Sequence, residues 1–219
     1  MGLKIESEDL DQMLMKIEES FDIRFKTNEL TNVKTYGEFC DAIKIKININ
    51  HSDTCTTQQG FYKLRETLVS SLEIEKAKVT SVTQLTEIFP RKTRKSQIKK
   101  LENELGFKLF LLRPPHFVTG LLGILLLGSF MLLFIDWKYG LSLFALSISG
   151  FWVSSKTGNE LDLTTVGELT KKITRENYFK SRRNSQTINK NELDKLLEDW
   201  FVDFLGIEKS DLTRDAQLF

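Results

Sequence analysis

An uncharged run of 19 residues, 117–135, limits the fold of this chain more than any other feature. A helix that crosses a bilayer needs about 20 predominantly apolar residues, and soluble cores seldom require so many uncharged positions in succession. A second uncharged run, 141–153, follows after a short polar turn. Trp137 and Tyr139 in that turn are typical of membrane interfaces and extend the second run. The pattern predicts a transmembrane helical hairpin over 117–153, with a hairpin buried in a soluble core as the alternative.

The charges around the hairpin are segregated. Residues 91–113 carry eight basic and two acidic side chains, whereas the turn of the hairpin has one charge of each sign. Because basic loops remain on the cytoplasmic side, we predict a two-span membrane protein with both termini cytoplasmic. Residues 1–44 are instead acidic, with ten acidic and six basic side chains. This asymmetry indicates an acidic soluble surface and a basic collar near something anionic.

The residue types that most often carry chemistry are sparse. Cys40, Cys55, His51 and His116 have no partners at metal-ligand spacing, so a disulfide scaffold, a zinc site and a Cys/His catalytic pair are unsupported. Cys40 is predicted on a helix face and Cys55 in a loop. The sequence also contains no phosphate loop or recognisable activated nucleophile, and we therefore predict no catalytic residues, no metal and no enzyme.

The soluble parts of the chain repeat themselves. Segments 70–85 and 203–218 are identical at seven of 16 positions without a gap. Apolar positions coincide between 14–25 and 98–109, and the pattern T-x-G-E recurs at 35–38 and 165–168. In this last block Thr35 and Thr165 have the spacing of capping boxes with Glu38 and Glu168. Around the start of segment 14–25, apolar residues recur at helical spacing. They predict one buried helix face, made of Leu10, Met13, Leu14 and Ile17.

The repeats predict an all-α protein with two small helical bundles in addition to the hairpin. One bundle joins the tail of the chain to its head, and the other is interrupted by the hairpin. The predicted segments are 190–219 with 1–44 for the first bundle, 58–112 with 158–173 for the second, and linkers at 45–57 and 174–189.

These blocks, in this order, resemble acyl carrier proteins, and the resemblance covers nearly all of the soluble residues. The matching motifs are L-G-I at 205–207, L-T at 212–213, D-A-Q-L at 215–218, E-E-S-F-D-I at 18–23, T-Y-G-E-F at 35–39 and T-V-G-E-L at 165–169. The resemblance implies four-helix bundles whose apolar core can shelter an acyl chain. It also implies a phosphopantetheine arm on a serine at the start of the second helix.

Counted through the join between tail and head, the serine of that family falls on Ser7, preceded by Glu6 where the family has Asp. Ser7 is therefore the candidate phosphopantetheine attachment site. Glu8 departs from the family pattern, because the residue after the serine is usually apolar. The alternative is that Ser7 is an ordinary N-cap, since serine favours this position and acidic residues suit the first turn of a helix.

In the central copy the serine position is occupied by Arg91, so this copy is not expected to be modified. Its second helix, which is the acidic docking face in carriers, is basic here. Three interpretations stay open: contact with anionic lipid headgroups, docking of the acidic copy, and binding of nucleic acid. Nucleic acid is not expected, because no aromatic residues interleave the basic run.

The resemblance implies a membrane-anchored acyl-carrier-like protein in a bacterial fatty-acid or polyketide-like pathway of lipid metabolism. Its partners would be the membrane and acyl-transfer or synthase enzymes or a separate carrier. The alternative is an unmodified carrier-like scaffold that recruits such enzymes to the membrane. The tail and head could also pair between two chains, in a domain-swapped homodimer.

Overall fold

The computed structural model of the protein describes residues 2–26 and 28–219; Met1 and Thr27, both within the predicted segment 1–44, lie outside the described residues. Helices account for 62% of the chain, so the fold is mostly helical, as the sequence predicts. The α-helices are α1 (Ser7–Phe21), α2 (Tyr36–Lys46), α3 (Thr56–Leu72), α4 (Leu85–Ile88), α5 (Arg94–Leu105), α6 (His116–Leu133), α7 (Trp137–Thr157), α8 (Val166–Glu176), α9 (Tyr178–Ser181) and α10 (Lys190–Leu205).

The strands are short and form two separate ribbons. They are β1 (Asn50–His51), β2 (Leu112–Arg113), β3 (Glu160–Leu161) and β4 (Thr187–Ile188). β1 pairs with β4 in parallel, and β2 pairs with β3 in antiparallel. The chain divides into two compact units: one combines the residues up to Glu66 with Gly167–Phe219, and the other comprises Thr67–Val166.

The core of the first unit is built by both ends of the chain. Met13, Ile17 and Phe21 of α1 are fully buried, as are Trp200 and Phe201 of α10. These side chains belong to one apolar cluster that also includes residues of α2 and α9. The helical face predicted for the start of the chain is confirmed, because Leu10 is buried and Leu14 packs against the cluster as a partly buried side chain.

The last residues of the chain form the centre of a small backbone network. On one side, the amides of Leu3 and Ile5 donate to the carbonyls of Gln217 and Leu218, at 2.7 and 3.0 Å. On the other side, the amide of Tyr36 donates to the carbonyl of Ala216 at 2.9 Å, and the amide of Leu218 to Lys34 at 2.9 Å. The tail of the chain therefore connects its head to the start of α2.

The second unit repeats half of this network. The amide of Leu85 donates to the carbonyl of Thr164 at 2.8 Å, and that of Val166 to Thr83 at 3.0 Å. An isolated bridge joins Gln84 to Thr165, in the same antiparallel sense as the bridge between Gln217 and Thr35 in the first unit. The repeated segments thus form the same pairing in both units.

The second helix of the first copy is α1 and that of the second copy is α5. A glutamate stabilises the C-terminal end of each. The carboxylate of Glu18 accepts the amide of Phe25 at 2.6 Å and pairs with Arg24 at 2.9 Å. In the same way, the carboxylate of Glu102 accepts the amide of Leu109 at 2.8 Å and pairs with Lys108 at 3.0 Å. In each case the C-cap residue is left-handed, Asp22 in one copy and Gly106 in the other.

The first helices of the two copies, α10 and α3, also end in similar backbone conformations. Gly206 ends α10 with φ 68°, and Glu73, one residue after the end of α3, has φ 56°. A 3-10 turn follows at Lys209–Asp211 and at Lys76–Lys78, and a glutamate with similar φ and ψ angles precedes each turn, Glu208 at −67° and 136° and Glu75 at −58° and 130°. The positive φ of Glu73 is uncommon for a residue with a Cβ, and it marks the place where the repeated backbone turns as it does at the glycine.

The helices α6 and α7 pack against each other in antiparallel orientation. The rings of Phe130 and Phe144 lie 5.9 Å apart. A Cβ on Gly140 would lie 2.6 Å from the backbone nitrogen of Leu133, so the two backbones approach closely near the turn. The buried positions of α7 are Gly140, Ser147 and Ser154, which recur every seven residues. Small residues at this spacing let two helices pack closely.

Both ends of this hairpin are tied together at its base. β2, which precedes α6, pairs with β3, which follows α7, with Leu112 opposite Leu161. Gly158 lies so close to the strand that a Cβ there would be 2.7 Å from the carbonyl carbon of Arg113. The hairpin therefore enters and leaves the second unit at one place.

Among the described residues, α6 is the one helix whose length and apolar composition would allow it to cross a membrane, with a mean hydropathy of 2.0. Core helices of soluble proteins can have the same length and composition, but they are mostly buried. Here only 6% of the apolar window is buried, which distinguishes α6 from a soluble core helix.

The T-x-G-E block gives a test of the tail network. A Cβ on Gly37 would lie 2.6 Å from the carbonyl oxygen of Arg214, which accepts the amide of Gly37 itself. We expect Gly37→Ala to destabilise the first unit by about 1–3 kcal/mol, because backbone must move to admit the methyl group. Urea unfolding in detergent, followed by Trp200 fluorescence in a Trp137→Phe/Trp152→Phe background, measures this change. The control is Gly2→Ala, whose Cβ would lie 3.6 Å from Phe219 and should cost little.

The pairing of tail and head gives a second test. Gly2 and Gln217 are bridge partners within one chain. In a background without Cys40 and Cys55, we expect Gly2→Cys/Gln217→Cys to form an intramolecular disulfide when mildly oxidised. In a mixture of two differently tagged versions, non-reducing gels should show monomers of altered mobility. A disulfide-linked dimer that contains both tags would indicate the domain-swapped arrangement instead.

Candidate functional site

Ser7 is the first residue of α1, which has 15 residues, and its side chain is exposed. The tail network places it there, because the last hydrogen bond of the head segment, from Ile5 to Leu218, lies two residues before it. Ile5 is buried with 9% exposure and holds the segment against the core. The chain end thus supports the start of the helix that presents the serine.

The interpretation of Ser7 as an N-cap is wrong. The N-cap is Glu6, which has extended φ and ψ angles and whose carbonyl accepts the amides of Asp9 and Leu10 at 3.1 Å each. No side chain caps this helix end. Among the hydrogen bonds of the described residues, none involves the Ser7 hydroxyl. A serine that neither caps its helix nor packs in the core has no evident structural role here.

The electrostatics around Ser7 combine two opposing effects. Amides in the first turn of a helix lack intrahelical acceptors, and the helix dipole makes this end favourable for an anion such as a phosphodiester. Glu6, Glu8 and Asp9 are exposed around the serine and repel an anion. Their charges also attract a basic protein surface and speed its association. The start of α1 therefore combines amides that favour an anion with exposed carboxylates that favour a basic partner surface.

The exposed face of α1 continues this acidic surface. Asp11 and Glu19 are exposed on it, together with Met15, which is 58% exposed. An exposed methionine surrounded by carboxylates offers one adaptable apolar contact within a polar rim. The opposite face is closed: Met13 and Ile17, which the resemblance assigns to an acyl-sheltering core, are fully buried. An acyl chain could enter there only if these side chains moved.

The central copy lacks an equivalent site. Arg91 lies before α5, whose N-cap is Thr93, so the position that matches Ser7 is not in a helix. The Arg91 guanidinium pairs with Glu160 at 2.7 Å. The structure therefore offers no exposed hydroxyl at the matching position of this copy.

The two cysteines lie where the sequence predicts them. Cys40 is buried in α2, and Cys55 is exposed in the loop before α3. Burial raises the pKa of the Cys40 thiol to about 11, because the low-dielectric core disfavours the thiolate. Burial also raises the pKa of Cys55. Neither thiol is activated as a nucleophile.

The sequence analysis did not predict that Glu18 and Glu102, which occupy equivalent positions in the two copies, each accept a backbone amide. A signal was present, since both occupy the same position of the aligned segments 14–25 and 98–109. The predicted capping box at Thr35 is confirmed, because its hydroxyl accepts the amide of Glu38 and the Glu38 carboxylate accepts the amide of Thr35. The backbone amides of Lys34 and Thr35 donate to the Glu38 carboxylate and keep its pKa below the usual value.

No protein-family model matches this chain, and neither the curated proteins nor the solved structures contain a match. The assignment of function therefore rests on the sequence motifs and on the geometry described above.

The accessibility of position 7 can be tested by thiol labelling. We expect Ser7→Cys, in a Cys55→Ser background, to react rapidly with a maleimide in the folded protein. Cys40 is the internal control: it should remain unlabelled near neutral pH, well below its pKa of about 11, until the protein is unfolded. Mass spectrometry of the peptides distinguishes the two sites. Slow labelling at position 7 would contradict the exposed placement of Ser7.

Proposed function

We propose that this protein is a membrane-anchored, acyl-carrier-like protein that bears phosphopantetheine on Ser7. The observation that carries the proposal is the placement of Ser7 in the first turn of α1, in a bundle that the tail and head of the chain build together. Its side chain is exposed, and its hydroxyl makes no hydrogen bond among the described residues. The carrier motifs of the sequence supply the kind of arm expected there. In this proposal the pathway is a bacterial fatty-acid or polyketide-like pathway, and the acyl group is held as a thioester of the arm.

The anchor in this proposal is a two-span hairpin made of α6 and α7. Their 18 and 21 residues correspond to lengths of about 27 and 31 Å, which match the hydrocarbon core of a bilayer. α7 is less apolar than α6 because it contains several serines. Three of these hydroxyls, on Ser142, Ser147 and Ser149, donate to carbonyls of their own helix. Such bonds lower the cost of placing a hydroxyl in lipid.

The same proposal places both termini and the carrier-like units in the cytoplasm. The ribbon between β2 and β3 brings both ends of the hairpin to one base. This supports the part of the proposal in which both ends would lie on one side of the membrane. Basic residues are concentrated at this base, whereas Asp136 and Lys138 at the turn balance each other. The positive-inside tendency then favours a cytoplasmic base.

The residues around Ser7 would each have a part in loading the arm. The Ser7 oxygen would attack the phosphorus of coenzyme A that bears the pantetheine, lose its proton to a base of the transferase, and form a phosphodiester as the nucleotide leaves. The free amides of the first turn favour the resulting anion. Glu8, Asp11 and Glu19 would attract the transferase and later the acyl-transfer or synthase enzymes.

The exposed Glu8 after the serine favours the second candidate function, an unmodified scaffold that recruits lipid or polyketide synthesis enzymes or a separate carrier. In a scaffold, the acidic face of α1 would serve docking alone and Ser7 would stay a free hydroxyl. The two functions differ in one measurable respect, the covalent state of Ser7.

Intact-mass measurement tests the proposal. We expect the full-length protein, in detergent micelles with coenzyme A and a broad-specificity phosphopantetheinyl transferase, to gain one phosphopantetheine that maps to the peptide containing Ser7. Ser7→Ala should gain none. Ser210→Ala is the matched control, since Ser210 is another exposed serine of the same unit and its loss should leave the modification intact.

An unchanged mass, both after this reaction and in protein from the native host, would contradict the carrier function and leave the scaffold. Modification at a serine other than Ser7 would contradict the assignment of the site. Labelling at Ser7→Cys, described above, separates an inaccessible site from an accessible one that the transferase does not recognise.

A further inference from the structure

We propose that the base of the hairpin binds the headgroups of anionic phospholipids through a basal surface made of Lys92, Lys95 and Lys156. This inference rests on the proposed membrane anchor, and it is independent of the modification of Ser7. The sequence left three partners open for the basic helix of the central copy. The proposal selects one of them, the negatively charged lipids of the cytoplasmic leaflet.

The basic segment is fixed against the end of α7 by direct contacts. The Lys95 ammonium donates to the carbonyl of Thr157, the last residue of α7, at 2.7 Å. The Arg94 guanidinium donates to the carbonyl of Asn159 at 2.5 Å and to that of Phe89 at 3.0 Å. The Asn159 amide in turn donates to the carbonyl of Arg91 at 2.9 Å. These bonds hold the start of α5 at the place where α7 would leave the membrane.

The charges at this base do not cancel. Two ion pairs neutralise part of it, Arg91 with Glu160 at 2.7 Å and Arg113 with Asp162 at 3.3 Å. The three lysines of the basal surface are exposed, and no ion pair of the described residues involves them. Lys95 uses one of its three donors on Thr157, which leaves two for a phosphate oxygen. The base therefore presents a net positive surface.

Aromatic side chains accompany the lysines as they do at membrane interfaces. The Lys156 ammonium lies 3.8 Å from the centre of the Trp152 ring, and this ring is 60% exposed on α7. Phe110, two residues before β2, is 74% exposed between the buried Leu109 and Leu111. The backbone of Phe110 has a positive φ of 45°. An exposed ring beside a cation suits the headgroup region, where apolar and charged groups meet.

The other end of the hairpin, at the turn between α6 and α7, differs from the base in net charge. The turn carries Asp136 and Lys138, so its charges balance, and Trp137 is 63% exposed there. The two ends therefore have similar aromatic residues but different net charge. This contrast provides a reporter and a control within the same chain.

Quenching of tryptophan by brominated lipids tests the proposal on the full-length protein in phosphatidylcholine vesicles that contain some phosphatidylglycerol. A base reporter retains Trp152 alone (Trp137→Phe/Trp200→Phe), and a turn reporter retains Trp137 alone (Trp152→Phe/Trp200→Phe). We expect brominated phosphatidylglycerol to quench Trp152 more strongly than equimolar brominated phosphatidylcholine. Trp137 should show no preference, and high salt should reduce the preference at Trp152.

Substitutions then assign the preference to the basal surface. We expect Lys92→Gln to reduce the relative association of the anionic lipid at Trp152 by about fivefold, the contribution of one lysine near an anionic surface. Lys92 is chosen because, unlike Lys95, it makes no hydrogen bond to α7 among the described residues. Lys138→Gln removes the same charge at the turn and should change nothing at Trp152.

Equal quenching of Trp152 by both lipids, or a preference that Lys92→Gln leaves unchanged, would overturn the inference. A preference that appears only after Glu8→Gln/Asp11→Asn would also overturn it, because the acidic face of α1 would then be the partner that covers the basal surface. If neither lipid quenches either reporter, the hairpin is not in the membrane, and the proposed anchor itself has failed.

Discussion

The backbone pairing of the last residues of the chain is the interaction on which the first unit depends. Gln217 and Leu218 accept amides from the head of the chain, while Ala216 accepts an amide at the start of α2. These bonds give partners to backbone groups of all three segments. Because the same residues fix where α1 begins, the position of Ser7 is a consequence of the pairing rather than of α1 alone.

The two copies share their hydrogen bonds and differ in their charges. Glu18 and Glu102 close equivalent helix ends in the same way, since a partly buried carboxylate that accepts a backbone amide constrains both the turn and the side chain. The surfaces are under no such constraint, so the serine position carries a hydroxyl in one copy and Arg91 in the other. The two copies therefore share interior hydrogen bonds while their surface charges are opposite.

The hairpin interrupts the second copy without disturbing its pairing. The ribbon of β2 and β3 closes the insertion at its base, and the bond between Leu85 and Thr164 lies just outside it. Gly158 permits the close approach of the two ends. An insertion whose ends are adjacent need not displace the elements around it, which explains how a helical copy can contain an apolar hairpin of this length.

The sequence by itself determined the helical class, the apolar character of α6, the recurring segments, the buried face of α1 and the capping box at Thr35, because hydrophobic period, cap chemistry and uncharged length are local properties. It predicted two spans, but among the described residues α6 alone has the length and apolar composition of one. Only the tertiary structure decided three other points: that Glu6 rather than Ser7 caps α1, that Glu18 and Glu102 bind backbone amides, and that the start of α5 is fixed to the end of α7. Each depends on groups that are brought together by packing, and local sequence patterns do not record such contacts.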